Sequence, residues 1–434
     1  MKLSSAVSAA CLTALPCISM ANDSPNVLLI IADDMGIEAS NCYSLGNQQA
    51  KMPNIEAMCK QGMVFENGYS APVCSPTRAT IMSGQYGFRT GVGAAIPRIG
   101  GEGRGLSANT TSLFDVLEKS NYSTNVIGKW HLADSGNDYN HPTEMGVPDY
   151  WGLLKGGTRS YFNWDGATQG KRFDSSVYTT TDFTNQAVDW IDKQDNPWFL
   201  WLAYNAPHTP FHLPPVDLHS SDELSDDTNA IKENPLPYYH AMLEAMDTEI
   251  GRLLDSMELE ERDNTIVMFV GDNGSPNQVA SDLYGVHDAK GTIYEGGTHV
   301  PLIAVGPGVK KGRTEGFVNT TDIYTTVASI AGVEVDLVDS YDFSPLLSGK
   351  SNGRDYIYVE HFEEVVKSKG GTFGWAVREG DYKVVQVKDV TQPELYDLSK
   401  DPLEQNDLLA DGISKSEKRI VNRLQARYEQ IHGS

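Results

Sequence analysis

The sequence predicts an α/β fold: a mostly parallel sheet flanked by helices, followed by a smaller C-terminal antiparallel α+β subdomain. Three observations predict it. Residues 26–32 (NVLLIIA), 197–204 (PWFLWLAY) and 265–270 (TIVMFV) are uninterrupted apolar runs of strand length, the pattern of strands buried on both faces of a parallel sheet. Helical patterns at 53–59, 112–119, 181–194, 235–257 and 320–332 alternate with these runs and with shorter strands at 64–69, 124–127 and 302–305, as right-handed crossovers require. After about Phe343 the composition shifts to short alternating strands at 356–362, 375–378 and 382–387, then 395–398 and a helix at 415–430. The expected division is a signal segment over 1–21, a main domain over 22–343 and a subdomain over 344–434.

Residues 1–21 read as a secretory signal, with Lys2 at the positive start, an apolar run through Leu15 and small residues at Ser19 and Ala21. Neither Cys11 nor Cys17 sits in a lipid-anchor pattern, and no other stretch has the length to span a bilayer. The product is therefore expected to be exported, periplasmic or secreted, without a membrane anchor. Cys42, Cys59 and Cys74 remain after the signal, an odd count for an oxidising compartment, so one thiol is unpaired or chemically altered. Cys42 and Cys59 are a possible pair that sequence alone leaves open.

With 40% hydrophobic and 21% charged residues the chain is ordinary for a globular protein, which sets disorder and fibres aside. Its net charge of −24 argues against nucleic acid and anionic lipid as partners. An anionic substrate would need Lys, Arg and His gathered locally against that field.

Chemistry-bearing residues fall where strands end. Asp33-Asp34-Met35-Gly36 follows the first apolar run; the paired carboxylates suit a hard cation or, alternatively, a helix N-cap. Asp272-Asn273-Gly274 repeats the pattern after the third run. Lys129 and His131 follow a short strand and, if the segment is extended, project to one side. His208 follows the second run. Lys290 and Glu295-Gly296-Gly297 lie in the segment 285–301. Cys74-Ser75-Pro76-Thr77-Arg78 opens a helix-competent stretch, placing a sulfur at a positive helix N-terminus, though a lone cysteine is as readily an inert packing residue. Residues 135–171 read as irregular, and their aromatics Tyr150, Trp151, Tyr161, Phe162 and Trp164 suit either sugar stacking or loop packing.

Together these motifs resemble the type I, formylglycine-dependent sulfatases of the alkaline phosphatase-like superfamily. The matching pieces are Asp33-Asp34-x-Gly36, Cys74-x-Pro76-x-Arg78, Gly128-Lys129-Trp130-His131, Pro207-His208-x-Pro210, Asp272-Asn273-Gly274 and Lys290 with Glu295-Gly296-Gly297, and the tail 395–408 is similar to that family's C-terminal hairpin. The resemblance implies that a formylglycine-generating enzyme converts Cys74 to Cα-formylglycine, which accounts for the odd cysteine. It implies one Ca²⁺ held by Asp33, Asp34, Asp272, Asn273 and residue 74, an all-oxygen set once the sulfur is gone. Arg78 and Lys129 would orient the attacking diol oxygen of residue 74, His131 would take a proton from the second diol hydroxyl, and His208 with Lys290 would serve the leaving oxygen. His299 departs from the family, whose members often carry Arg there. The implied activity is a sulfuric ester hydrolase acting on sulfated oligosaccharides, served by cationic and aromatic loops at Arg98, Arg104 and 141–172. An arylsulfatase, a promiscuous phosphate mono- or diester hydrolase, or an unmodified binding module are the alternatives.

Overall fold

The computed structural model describes residues 24–46, 49–97, 103–363 and 372–434. The expected signal at 1–21 and Arg98 lie outside the described residues. Ten strands form the main sheet: β1 (Asn26–Ala32), β2 (Met63–Tyr69), β3 (Ser123–Gly128), β4 (Trp151–Gly152), β5 (Trp164–Thr168), β6 (Lys171–Ser175), β7 (Trp198–Ala203), β8 (Thr265–Gly271), β9 (Leu302–Val305) and β10 (Gly312–Asn319). Their spatial order is β10-β2-β9-β8-β1-β7-β3-β4-β5-β6.

The central strands β8, β1, β7 and β3 are mutually parallel, so their carboxyl ends share one edge. Alternate residues of β1 feed opposite cores. Val27, Leu29 and Ile31 join Phe199, Trp201 and Met268 under the helices Cys74–Ser83 and Asp322–Ile330. Leu28, Ile30 and Ala32 join Leu200, Leu202 and Phe269 beneath Thr179–Ile191 and Leu236–Ser256. Every residue of β1, β7 and β8 is buried, which is why these strands read as unbroken apolar runs.

Three parts of the sheet differ from expectation. The strand at 302–305 runs antiparallel to both β8 and β2, because the preceding segment stays at the carboxyl edge and re-enters the sheet from there without a crossover. β10, parallel to β2, went unforeseen: its first half is polar and largely solvent-facing, so no apolar run marks it. Within the supposedly irregular 135–171, β5 and β6 make a hairpin across Gln169 (φ 46°) and Gly170 (φ 71°), with β4 beside it.

Four further strands, β11 (Ile357–His361), β12 (Gly374–Glu379), β13 (Tyr382–Val387) and β14 (Glu394–Asp397), form a consecutive antiparallel sheet. One face buries Val377, Val384 and Leu395 under Val421, Leu424 and Ile431 of the helix Lys415–Gly433, which opens with a Ser414–Glu417 capping box. The other packs Val359, Ala376 and Val385 against Tyr69, Ile293 and Phe317 of the main body. Cys42 and Cys59 are disulfide-bonded with Cα atoms 6.1 Å apart, leaving Cys74 as the free cysteine among the described residues.

Glu360, on β11, accepts from Phe88 N at 2.8 Å and Tyr358 Oη at 3.0 Å. Burial pushes its carboxyl up to about 7. Because the folded state binds this proton more tightly than the unfolded chain, the contribution of Glu360 to stability is full below about pH 4.5 and is lost as pH rises through 7. Glu360→Gln removes that dependence. The variant should therefore gain on the parent by up to roughly 3 kcal/mol between pH 4.5 and 8, measured by urea unfolding at both ends; a constant difference would contradict the assignment.

Candidate active site

The carboxyl edge of β8-β1-β7-β3 gathers the predicted residues. Asp33 and Asp34 leave β1, and Asp272 and Asn273 leave β8 in register beside them, Ala32 facing Gly271. Asp34 adopts φ 70°, a left-handed turn that drops its N–H onto Asp272 Oδ1 at 3.0 Å. Asn273 Nδ2 donates to Asp34 Oδ1 at 2.8 Å. Asp33, Asp34, Asp272 and Asn273 are essentially inaccessible to solvent.

Three cations interleave with these carboxylates. The Arg78 guanidinium, one turn into the helix Cys74–Ser83, grips Asp272 Oδ2 from Nη2 (2.7 Å) and Nε (3.2 Å), and its Nη1 donates to Lys129 O at 2.6 Å. Lys129 Nζ lies 2.5 Å from Asp33 Oδ2, and Lys290 Nζ pairs with Asp34 Oδ1. Burial opposes charge on Lys290, but Asp34 more than compensates and holds its ammonium above the ordinary lysine range. The same exchange in reverse holds Asp34 well below the carboxylate range against its own burial. Asp33 goes the other way: desolvation outweighs Lys129, and its carboxyl is pushed well up.

Cys74, at the first position of its helix, faces His131, with Sγ 3.1 Å from Nδ1. His131 Nε2 lies 2.8 Å from the Ile96 carbonyl. A carbonyl only accepts, so Nε2 carries the hydrogen and Nδ1 presents a lone pair to residue 74. Burial and then Lys129 keep this imidazole neutral, well below the ordinary histidine range. The expected alternation of Lys129 and His131 along an extended segment does not hold: His131 has φ 55°, so the two residues reach the same site by a turn.

His208 Nδ1 bonds the Thr209 carbonyl at 2.7 Å, and Nε2 stands 3.8 Å from Asp34 Oδ2. Burial lowers its pKa to about 3, so it is neutral at ordinary pH while Lys290 is charged. The ligand atoms of Asp33, Asp34 and His208 lie within 4.8 Å of one another. Among the described residues, Asp33 Oδ1 and Asn273 Oδ1 are buried oxygens with no hydrogen-bond partner. Two orphaned acceptors beside two further carboxylates are what an oxygen-preferring divalent cation satisfies. The residues present fit such an ion.

The supporting role of Tyr161 escaped the sequence. Tyr161 Oη donates to the carbonyls of Asn205 and His208, at 2.6 Å for the latter, fixing the loop after β7. Of the aromatics proposed for stacking, Tyr150, Tyr161 and Trp164 are buried and Trp151 packs on Phe173, so packing explains them; Phe162 alone is open to solvent. Arg104 pairs with Glu363. His299 keeps a place in the Glu295 cluster, with Nδ1 3.1 Å from Glu295 Oε2 and its ring stacked on Tyr69.

Gly156 and Gly157 press against the site's histidines: a Cβ on Gly156 would collide with Cε1 and Nε2 of His131, and one on Gly157 would stand 3.2 Å from Cε1 of His208. The Gly-Gly pair was the signal available in the sequence. Gly156→Ala should displace His131 and lower kcat by on the order of 10–100-fold with the melting temperature little changed; undiminished turnover would show that the His131 ring is not held there.

The "Sulfatase" family model matches residues 25–333, and the model "N-sulphoglucosamine sulphohydrolase, C-terminal" matches residues 283–433. Arylsulfatase A of Homo sapiens is 27% identical over 461 residues, covering 92% of this chain and 86% of that protein. The crystal structure of Ps i-CgsB, also solved with k-i-k-neocarrahexaose, superimposes with a TM-score of 0.79 at 26% identity over 94% of this chain and 92% of its own. BT4656, solved with its substrate D-glucosamine-2-N,6-O-disulfate, shares the fold at TM-score 0.76 and 20% identity, over 95% and 99% of the two chains. By family match, fold and relatives, the chain belongs to the sulfatase family and is a sulfuric ester hydrolase.

Proposed function

We propose that this sulfatase removes sulfate from sulfated oligosaccharides, with residue 74, matured from Cys74 by a formylglycine-generating enzyme, as the nucleophile and Ca²⁺ held by Asp33, Asp34, Asp272, Asn273 and residue 74. The observation that carries the reading is the pairing of residue 74 with the bare Nδ1 of His131, set among Arg78, Lys129 and Lys290. Hydrated formylglycine supplies an attacking hydroxyl and a second hydroxyl on the same carbon, and Ca²⁺ supplies positive charge for the sulfate oxygens.

The chain's own residues divide the remaining work. Arg78, locked by Asp272 and the Lys129 carbonyl, offers a fixed cationic wall where charge develops on the sulfuryl oxygens. His131 takes the proton from the residue-74 side chain at Nδ1. Lys290, charged beside Asp34, stabilises the departing oxygen, and His208 hydrogen-bonds on that side. Arg78, Lys129 and Lys290 at least match the carboxyl groups of Asp33, Asp34 and Asp272 in number, so a divalent ion would make the site net positive, as a sulfate ester requires. Carbohydrate as substrate is supported by the neocarrahexaose complex of Ps i-CgsB. Export is supported by the Cys42–Cys59 disulfide; among the described residues, no helix is long and apolar enough to cross a membrane.

Chelation followed by Ca²⁺ at about 100 times its Kd should stabilise the protein by about 2.7 kcal/mol, read as a rise in melting temperature that Asn273→Ala reduces; no rise refutes the ion site. The enzyme with residue 74 matured should release sulfate from carrageenan-, glycosaminoglycan- or fucan-derived oligosaccharides. Mass spectrometry of the residue-74 peptide should find an aldehyde in place of the thiol. An intact thiol overturns the nucleophile assignment, and turnover confined to nitrophenyl sulfate overturns the carbohydrate assignment in favour of an arylsulfatase.

A further inference from the structure

A cleft of about 690 Å³ lies beside the loop that follows His208, lined in part by Arg159, Phe162, Phe211, His212, Lys232 and Gln278. Its lining includes Thr209 to His212, the residues that directly follow His208 in the chain. Thr209, on its wall, is the residue whose carbonyl holds His208 Nδ1. Gln278 follows Asn277, whose side chain accepts from Ala289 N at 2.9 Å and reaches the Lys290 carbonyl at 3.5 Å. Gly157, against the His208 ring, lies two residues before Arg159.

Two features of the cleft are turned to solvent. Phe162 is 39% exposed although its neighbours Tyr161 and Trp164 are buried, and it is held from behind by Tyr178 (ring centroids 5.2 Å apart) and His212 (5.5 Å). An exposed phenylalanine braced by other rings presents an ordered apolar face. Arg159 and Lys232 are exposed, and their side chains make no ion pair or hydrogen bond among the described residues. In a chain of net charge −24, two such cations facing one carboxylate, Asp226, give the cleft a local positive surplus.

We propose that this cleft is a subsite for a neighbouring sugar unit that bears a second acidic group, a sulfate or carboxylate. The inference rests on the carbohydrate reading above. Phe162 and Phe211 cover the C–H face of that sugar ring, while Arg159 and Lys232 pair with its anion, so the enzyme selects multiply charged oligosaccharides over isolated sugar sulfates. Both pairs are solvent-exposed, so each contributes modestly and weakens with added salt.

The test is calorimetric titration of the full chain carrying Cys74→Ala, which binds without turnover. The probes are k-i-k-neocarrahexaose, heparan sulfate and chondroitin sulfate hexasaccharides, and the monosaccharides galactose 6-sulfate and glucosamine 6-sulfate. At least one hexasaccharide should bind roughly tenfold or more tighter than the monosaccharides. Arg159→Gln and Lys232→Gln should each cut that preference roughly threefold, the double variant about tenfold, and Phe162→Ala should cut it too. A hexasaccharide preference that survives all three substitutions, or no preference at all, overturns the subsite. If the matured parent releases sulfate from a hexasaccharide while the variants keep its preference, the subsite falls and the carbohydrate reading stands. If the preference depends on the cleft but no sulfate is released, the subsite stands and the carbohydrate substrate falls.

Discussion

The structure depends on a buried, balanced set of charges. Asp33, Asp272, Arg78 and Lys129 have no side-chain exposure, and ions taken so far from water are tolerable only when each meets an opposite partner in good geometry. That requirement ties separate segments together. Arg78 docks the helix Cys74–Ser83 onto the end of β8; Lys129 fastens the end of β3 to the end of β1; Lys290 draws the segment after β8 back over Asp34. Residue 74 is thereby placed at the mouth of the charge cluster, beside His131.

The balance also makes the site selective. Acidic residues outnumber basic ones by 58 to 34 across the chain, yet the central network sets three cations against three carboxyl groups. A divalent cation held by Asp33, Asn273 and their neighbours, whose orphaned oxygens it would satisfy, would tip this small volume to positive. The surrounding acidic surface repels anions, whereas this small volume would attract them.

A second buried cluster supports the first from outside. Lys383 of β13 sits between Glu295 (2.9 Å) and Glu404 (3.0 Å), and Tyr69 Oη donates to Glu295 at 2.8 Å. Burial opposes ionisation of Glu295, yet Lys383 and His299 hold it well below the carboxylate range, while burial pushes Glu404 up to about 7. The C-terminal sheet thus anchors the segment carrying Lys290 through charge as well as apolar packing. His299 joins this cluster through Glu295 and the face of Tyr69.

Local chemistry was legible because it is written in short runs. The apolar stretches that became β1, β7 and β8 are buried on both faces, and a strand so placed has no polar alternation to disguise it. The acidic, amide and basic residues at their ends lie beside those runs in the chain, so Asp33, Asp34, Asp272, Asn273, Lys129 and His208 could be named without coordinates. What the sequence alone left undecided depends on partners distant along the chain. The direction of β9 follows from where the preceding segment lies; β10 exists because β2 offers it an edge; Tyr161 matters because folding brings its hydroxyl to the Asn205 and His208 carbonyls. Choosing packing over stacking for Tyr150, Tyr161 and Trp164, and leaving Phe162 open, also required neighbours remote in sequence. The residue types at the strand ends were determined by the sequence itself, whereas their ionisation, tautomers and pairing were decided only by the tertiary structure, because burial and the distance between opposite charges exist only once the strands are laid side by side.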